Sequence, residues 1–381
     1  MVLAPSRETA DIIKEEGGEI LKLCYQCGMC TSTCPWNTVR SFLVRQIIHQ
    51  AQLGLPDLEA EDMWLCVTCK ACVDRCPRGV EIIDVWRALR KVIVEVGAGK
   101  VPDSLRLAVK NISGVGNPQG EEREKRTDWA KGLGVKTFTK GTEALYFPCC
   151  YVAYDSQFQR VARATVDILK KAKIDFGIMG AELSCCGESV RKAGNEGLFQ
   201  SLAQNNISVF NEAGVKKIIV TSPHCYHTFK NEYPELGGKF EVIHFTQYLA
   251  ELIKEGNLKL TKELKKTVTY HDSCYLGRHN NVYDEPRQVL ESIPGLKLAE
   301  MYNLRDNSLC CGGGGGRIWE ETKKGERFSD IRIDQALEAG ANILAAACPY
   351  CMVNFEDSVL TSGKGDSIEV KDIAELVQEA I

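Results

Sequence analysis

Eight cysteines in two runs of identical spacing constrain this chain more than any other feature. They read Cys24-x2-Cys27-x2-Cys30-x3-Cys34-Pro35, then Cys66-x2-Cys69-x2-Cys72-x3-Cys76-Pro77. A loop with that spacing bends three thiolates around one cubane [4Fe–4S] cluster, and the fourth cysteine, before proline, turns to the other cube. The spacing therefore predicts Cys24, Cys27, Cys30 and Cys76 on one cluster, and Cys66, Cys69, Cys72 and Cys34 on the other. Zinc is the competing occupant, but four-cysteine zinc sites favour two separated C-x2-C pairs over four cysteines in one run.

The chain carries 18 cysteines in 381 residues. Disulfide frameworks of that density belong to short secreted chains, and the opening "MVLAPSRETADIIKEEGG" lacks a secretory signal pattern. Metal is the better use of the thiols. A net charge of −4 gives no electrostatic reason to invoke nucleic acid or anionic lipid. No apolar run approaches the roughly 20 residues that span a bilayer. The reading is a cytoplasmic chain, meeting the inner face of a membrane only through a partner.

Between the cysteine runs, Phe42, Leu43, Ile47, Ile48 and Leu53 recur at near-helical spacing until Gly54 and Pro56 stop them. A second helix follows Pro77 in "VEIIDVWRALRKVIVEV". His49 reads as an ordinary core or surface histidine. Residues 1–110 are thus expected to form an all-helical domain of ferredoxin type holding two cubanes. Residues 111–141 mix glycine, proline and charge and read as a connector ordered in part by Trp129.

From residue 142 the chain repeats itself. "YFPCCYVAYD", "LSCCGES" and "IIVTSPHCYHTF" return as "TYHDSCYLGR", "SLCCGGG" and "AAACPYCMVNF". Superposing the CCG tripeptides pairs Cys150 with Cys274, Cys225 with Cys351 and Phe229 with Phe355. Short apolar strands such as "ALYF" alternate with helical stretches such as "FQRVARATVDILKKA", which is an α/β pattern with a largely parallel sheet. The expected fold class is therefore α plus α/β: the helical domain, then a duplicated α/β domain with halves at 142–260 and 261–381. In such sheets ligands sit at the carboxyl ends of the strands.

The second half carries a full thiol set, Cys274, Cys310, Cys311, Cys348 and Cys351. The first has Cys150, Cys185, Cys186 and Cys225, but Ser222 stands where the pairing requires a cysteine. Hydroxyl oxygen is a poor substitute for thiolate on iron. The first site therefore reads as degenerate, and Cys149 as a spare thiol.

These modules, with the flanking "YHDSCYLGRHNNVYDEPR", resemble the CCG domains of heterodisulfide reductases. The first eighty residues resemble that enzyme's two-cubane subunit. The fused layout is that of the heterodisulfide reductase D subunit and of the related K subunit of the membrane complex for sulfite reduction. The resemblance implies a noncubane [4Fe–4S] cluster on the complete second set, with a further cluster in the first half left open. It explains the adjacent cysteines, which would grip neighbouring irons of a fused cluster. It also gives Gly312, Gly313 and Gly314, within the run to Gly316, the task of bringing backbone N–H groups to the cluster. A phosphate loop would need a following Gly-Lys-Ser/Thr that Arg317 and Ile318 do not supply. An iron count distinguishes the options: about 8 from two cubanes, about 12 with one further cluster, about 16 with two.

No G-x-G-x-x-G marks a flavin or nicotinamide site, so electrons are expected from a partner: a cytochrome b, a flavoprotein or a ferredoxin-type donor. The leading expectation is a subunit of a redox complex that passes electrons through the cubanes to the second CCG site and reduces a disulfide or trisulfide there. His271 and Arg278, with His279, flank Cys274 and could donate a proton or steer an anionic substrate, or simply hold the sheet rim. His224 and His227 beside Cys225 read as more structural. An electron relay without a disulfide substrate, as in 2-hydroxy-acid oxidases or acyl-CoA reductase assemblies, is the alternative. A thioredoxin-like dithiol at Cys348 and Cys351 is a weaker third reading.

Overall fold

The computed structural model describes residues 4–381. The chain forms two compact units that do not follow chain order. The first takes the chain up to Leu107, together with Glu188–Phe199 and Gly312–Phe328; the second takes Ala108–Gly187, Gln200–Cys311 and Ser329–Ile381.

The first unit is helical. Ser6 starts the helix Arg7–Glu15 by accepting a hydrogen bond from the Thr9 amide at 3.3 Å, the usual task of a hydroxyl at that position. The expected helix between the cysteine runs is Val44–Gln52, burying Val44, Ile47, Ile48 and Ala51 and leaving His49 exposed. The helix after Pro77 is Ile82–Val96, which turns Ile83, Trp86, Leu89, Val92 and Ile93 inward and ends at a left-handed Gly97. Its Trp86 meets Phe42 edge to face at 5.7 Å.

The second unit holds the repeat. Its first half contains β1 (Ala144–Phe147), β2 (Phe176–Gly177), β3 (Lys217–Val220) and β4 (Glu241–His244); its second half contains β5 (Thr267–Tyr270), β6 (Lys297–Leu298), β7 (Ile343–Ala346) and β8 (Glu369–Asp372). The two sheets have the same order, β2-β1-β3-β4 and β6-β5-β7-β8, and every pairing is parallel. Strands β1, β5 and β7 are buried along their length or nearly so, as parallel strands covered on both faces must be. The halves are joined reciprocally. The helix after β1, Gln159–Lys171, packs on the last helix of the second half, Ile373–Ala380; the helix after β5, Asp284–Glu291, packs on the last helix of the first half, Phe245–Lys254. This exchange is what a pseudo-twofold axis requires, and Arg160 ties its side of the seam to Glu375 at 2.8 Å and to Glu356.

The segment 111–141 has more order than its composition suggests. Helix Asp103–Val115 runs into it and a 3₁₀ stretch spans Arg123–Ala130. Trp129 is fully buried and meets Tyr146 of β1 edge to face at 5.9 Å.

Candidate iron–sulfur centres

In both N-terminal cysteine runs the same loop positions adopt left-handed backbone. Gln26 and Thr68 have φ of 66° and 50°, and Gly28 and Lys70 have φ of 86° and 68°. Left-handed residues directly before and after the second cysteine of each run curl the loop back on itself. Only glycine adopts this conformation freely, and elsewhere it costs about 1–2 kcal/mol, so Gln26, Thr68 and Lys70 hold a backbone form that their side chains disfavour.

The two runs meet across each other. Cys34, Cys66, Cys69 and Cys72 line one small cavity closed by Phe42, Ile82, Ile83 and Trp86. Burial first, then the neighbouring Cys69 thiol, pushes the Cys34 thiol far above its usual range. On the other side, Tyr25 feels the thiols of both Cys27 and Cys76, which raise its phenol. The Val80 amide lies 3.3 Å from the Cys76 sulfur, and Gln26 Nε2 lies 3.5 Å from that of Cys24.

The glycine run after Cys311 is built against the loop of the second cysteine run. A Cβ on Gly314 would stand 2.2 Å from the Val67 carbonyl oxygen, and one on Gly315 would stand 2.4 Å from that of Cys66. Gly314→Ala therefore forces backbone apart. We expect a loss of about 1–3 kcal/mol in stability, as for overpacking elsewhere, with weakened retention of the Cys66 cluster in an iron assay of the purified protein. Wild-type iron and stability in Gly314→Ala would contradict the packing.

Sequence reasoning missed the residue that organises this region. Arg90 is fully buried in Ile82–Val96. It donates to the carbonyls of Met63 (2.9 Å), Cys66 (3.0 Å), Lys192 (3.0 Å) and Gly315 (2.9 Å), with its guanidinium 5.2 Å from the Trp64 ring centroid. One residue thus gathers the second cysteine run and both late segments of the first unit. The signal was present: Ile83, Trp86, Arg90 and Ile93 fall on one helical face, and a charged residue on an apolar stripe demands partners.

In the second unit the cysteines converge at the carboxyl ends of the central strands. Cys149 and Cys150 follow β1, Ser222 and Cys225 follow β3, Cys274 follows β5, and Cys348 and Cys351 follow β7. Each group lies where the strand order reverses, the place where open parallel sheets bind ligands. The CCG glycine is left-handed in both halves, with φ of 87° at Gly187 and 97° at Gly312, so a side chain at either position would be strained.

The second-half thiols are all buried. The Cys274 and Cys310 sulfurs are 3.9 Å apart, those of Cys311 and Cys351 3.3 Å, and Cys348 hydrogen-bonds Cys351. Burial alone would push the Cys348 thiol up, but hydrogen bonds from Cys351 and His224 prevail and hold it at about 6. His271 is fully buried with neither ring nitrogen hydrogen-bonded, and its donor atoms lie within 4.8 Å of the Cys311 and Cys351 sulfurs. Burial lowers its pKa to about 3, so it is a neutral imidazole, packed edge to face on Phe355. Arg278 donates to the carbonyls of Asp306 and Ser308 at 3.1 and 2.7 Å and so shapes the loop leading to Cys310. Asn354 holds the Cys311 carbonyl at 2.9 Å.

The first-half thiols also form one group. Cys150 hydrogen-bonds Cys185, Cys185 hydrogen-bonds Cys186, and Cys225 hydrogen-bonds both Cys186 and Cys149. Asn206 holds the carbonyls of Ser184 and Cys185 at 3.3 Å, and Tyr233 donates to that of Cys186 at 3.1 Å. The thiols, with the unbonded His271 ring, the buried Arg332 whose Nε and Nη2 are unbonded, and the buried Arg126 against Cys150, suit an anionic sulfur-rich occupant such as an iron–sulfur cluster.

Rings join the two groups. His224 lies 4.0 Å from Tyr275 and 4.5 Å from Tyr350, Tyr350 meets Tyr151 at 5.3 Å, and His279 stacks on Tyr275 at 4.1 Å. His227 closes edge-on against Tyr275 and His279.

Comparison with known proteins agrees with this geometry. A family model described as a 4Fe-4S dicluster domain matches residues 20–80, and one described as a cysteine-rich domain matches residues 144–230 and 268–356. The D subunit of the dihydromethanophenazine:CoB–CoM heterodisulfide reductase of Methanosarcina barkeri is 32% identical over 408 residues, covering 99% of this chain and 98% of the relative. The "Probable iron-sulfur-binding oxidoreductase FadF" of Bacillus subtilis is 38% identical, and the EtfAB:quinone oxidoreductase of Syntrophomonas wolfei 39%. Each of these alignments covers 84% of this chain but 47% of the relative, so the chain spans about half the length of those two proteins.

Proposed function

Because the chain belongs to the family of heterodisulfide reductase D subunits, which are iron–sulfur oxidoreductases, we propose that it is the electron-transferring and disulfide-reducing chain of a larger redox complex. The first cubane would be held by Cys24, Cys27, Cys30 and Cys76, and the second by Cys66, Cys69, Cys72 and Cys34. A noncubane cluster would be held by Cys274, Cys310, Cys311, Cys348 and Cys351. When bound, the clusters supply one-electron carriers and, at the last site, iron with an affinity for sulfur.

The observation that carries this reading is the second-half group: five buried thiols at one topological switch point, one of them held at about 6 by its neighbours. A lowered pKa favours the thiolate, which is the form that binds metal. The buried rim excludes water, and His271, neutral and without a hydrogen-bond partner, keeps a ring N–H available beside Cys311 and Cys351. The substrate would be a disulfide or trisulfide of small thiols or of a carrier protein. The donor would be a cytochrome b, a flavoprotein or a ferredoxin-type partner, and any membrane contact would come through it; among the described residues no helix is long and apolar enough to cross a membrane.

A second reading, an electron relay with no disulfide substrate, is favoured by the higher identity to FadF and to the EtfAB:quinone oxidoreductase. One experiment separates them. The oxidised, anaerobically purified protein is titrated with thiols such as coenzyme M and followed by EPR. A new paramagnetic signal, absent in Cys311→Ser while the reduced cubane signals persist, is the expected result. No response to any thiol, with clusters that still reduce and reoxidise, makes the chain a relay.

A further inference from the structure

The two halves of the repeat can be compared position by position, and the comparison gives Cys149 a task. Ser222 and Cys348 occupy the same place, each in extended backbone after the third strand of its half and directly before a proline-led helix. Cys149 and Ser273 also occupy the same place, each one residue before the first ligand-type cysteine of its half. The Ser273 hydroxyl lies 3.5 Å from the Cys351 sulfur, and the Cys149 thiol hydrogen-bonds Cys225, the counterpart of Cys351. The first half thus has cysteine then serine at these two places, and the second has serine then cysteine. Each half keeps five thiols.

We propose that Cys149 takes the place of the cysteine that Ser222 lacks, so that Cys149, Cys150, Cys185, Cys186 and Cys225 form a second complete five-thiolate site for an iron–sulfur cluster. The thiol contacts run without a break from Cys150 through Cys185 and Cys186 to Cys225 and Cys149. Cys149 is 4% exposed, so its sulfur faces the group and not solvent.

A second observation points to an anionic occupant. Arg126 is 1% exposed and turns its guanidinium to the Cys150 thiol, the Tyr154 hydroxyl and, at 3.4 Å from Nη2, the Pro148 carbonyl, with Cys185 also in its field. A buried guanidinium is costly unless an anion lies against it, and the partners here carry no charge. Cluster sulfides and thiolates meet that need. Binding would release the thiol protons to solvent, as ligation by cysteine requires.

The proposal requires that the CCG sites take clusters, not that either reduces a disulfide. Its test is therefore composition rather than activity: iron and acid-labile sulfide per chain, with EPR, on the anaerobically purified full chain. The wild type is expected to hold about 16 irons, and Cys149→Ser about 12, the cubane and second-half signals being unchanged. Moving the thiol back, in Cys149→Ser with Ser222→Cys, is expected to restore about 16, which a merely destabilised fold would not do. Wild-type protein with about 12 irons or fewer, or Cys149→Ser with undiminished iron, would overturn the proposal and identify Cys149 as a small buried packing residue.

Discussion

Arg90→Met is expected to be among the most damaging single substitutions in the chain. Methionine fills much of the same volume but donates nothing, leaving the carbonyls of Met63, Cys66, Lys192 and Gly315 without the guanidinium that now satisfies them. A buried group that loses its partner costs about 1–3 kcal/mol, and several are lost together. A total above about 4 kcal/mol places the change in the exceptional class. The positive charge beside the Cys66 thiol also goes, and that charge favours the thiolate needed for ligation. The measurable consequence is twofold: a lower thermal midpoint under anaerobic conditions, and selective loss of about 4 irons from the cubane proposed at Cys66, Cys69, Cys72 and Cys34. Arg90→Lys should recover little, because one ammonium cannot reach carbonyls arranged around a planar fork. A variant with wild-type iron and midpoint would show that the arginine is dispensable.

Arg287→Leu is expected to be comparably severe in the second unit. Arg287 grips Asp272 through both oxygens at 2.7 and 2.9 Å and Glu300 at 2.6 and 3.1 Å, while the Arg305 amide adds a bond to Asp272 at 2.7 Å. Asp272 is 2% exposed and sits between His271 and Ser273, two residues before Cys274. Removing the arginine leaves a buried carboxylate without its bonded cation, with only the field of Arg332 remaining, which costs about 3–5 kcal/mol. Adding Asp272→Asn should return part of that loss, since the uncompensated charge is the larger share of the penalty. Thermal unfolding of the two single variants and the double variant measures the coupling. Strictly additive losses would mean that the pair does not act as a unit.

What was legible in the sequence was what short-range spacing encodes. The cysteine runs specify their own loop geometry, and the strand "ALYF" and helix "FQRVARATVDILKKA" appear almost residue for residue as Ala144–Phe147 and Gln159–Lys171. The duplicated parallel sheets follow from the repeat. Pairing Asp272 with Arg287 gives physical meaning to the two ends of "YHDSCYLGRHNNVYDEPR". The Arg90 bonds to Lys192 and Gly315 were not legible, because they cross more than a hundred residues and leave no periodic trace. The residues after each CCG motif look like ordinary parts of their halves, yet both segments fold with the cubane runs. Cys149 reads as spare because the sequence displays spacing within a motif, while the fold places side chains by strand end.

The left-handed backbone at Gln26, Thr68 and Lys70 bears on how long such a protein lasts. Each is a conformation that the polypeptide alone disfavours by about 1–2 kcal/mol, and iron–sulfur ligation at the flanking cysteines, as proposed above, would offset it. A chain stripped of iron by oxygen or chelation therefore has every incentive to uncoil at these loops first. Unfolded loops are what proteases cut. Loss of metal and loss of the polypeptide become successive stages of one decay, so that turnover of the protein would track the supply of iron.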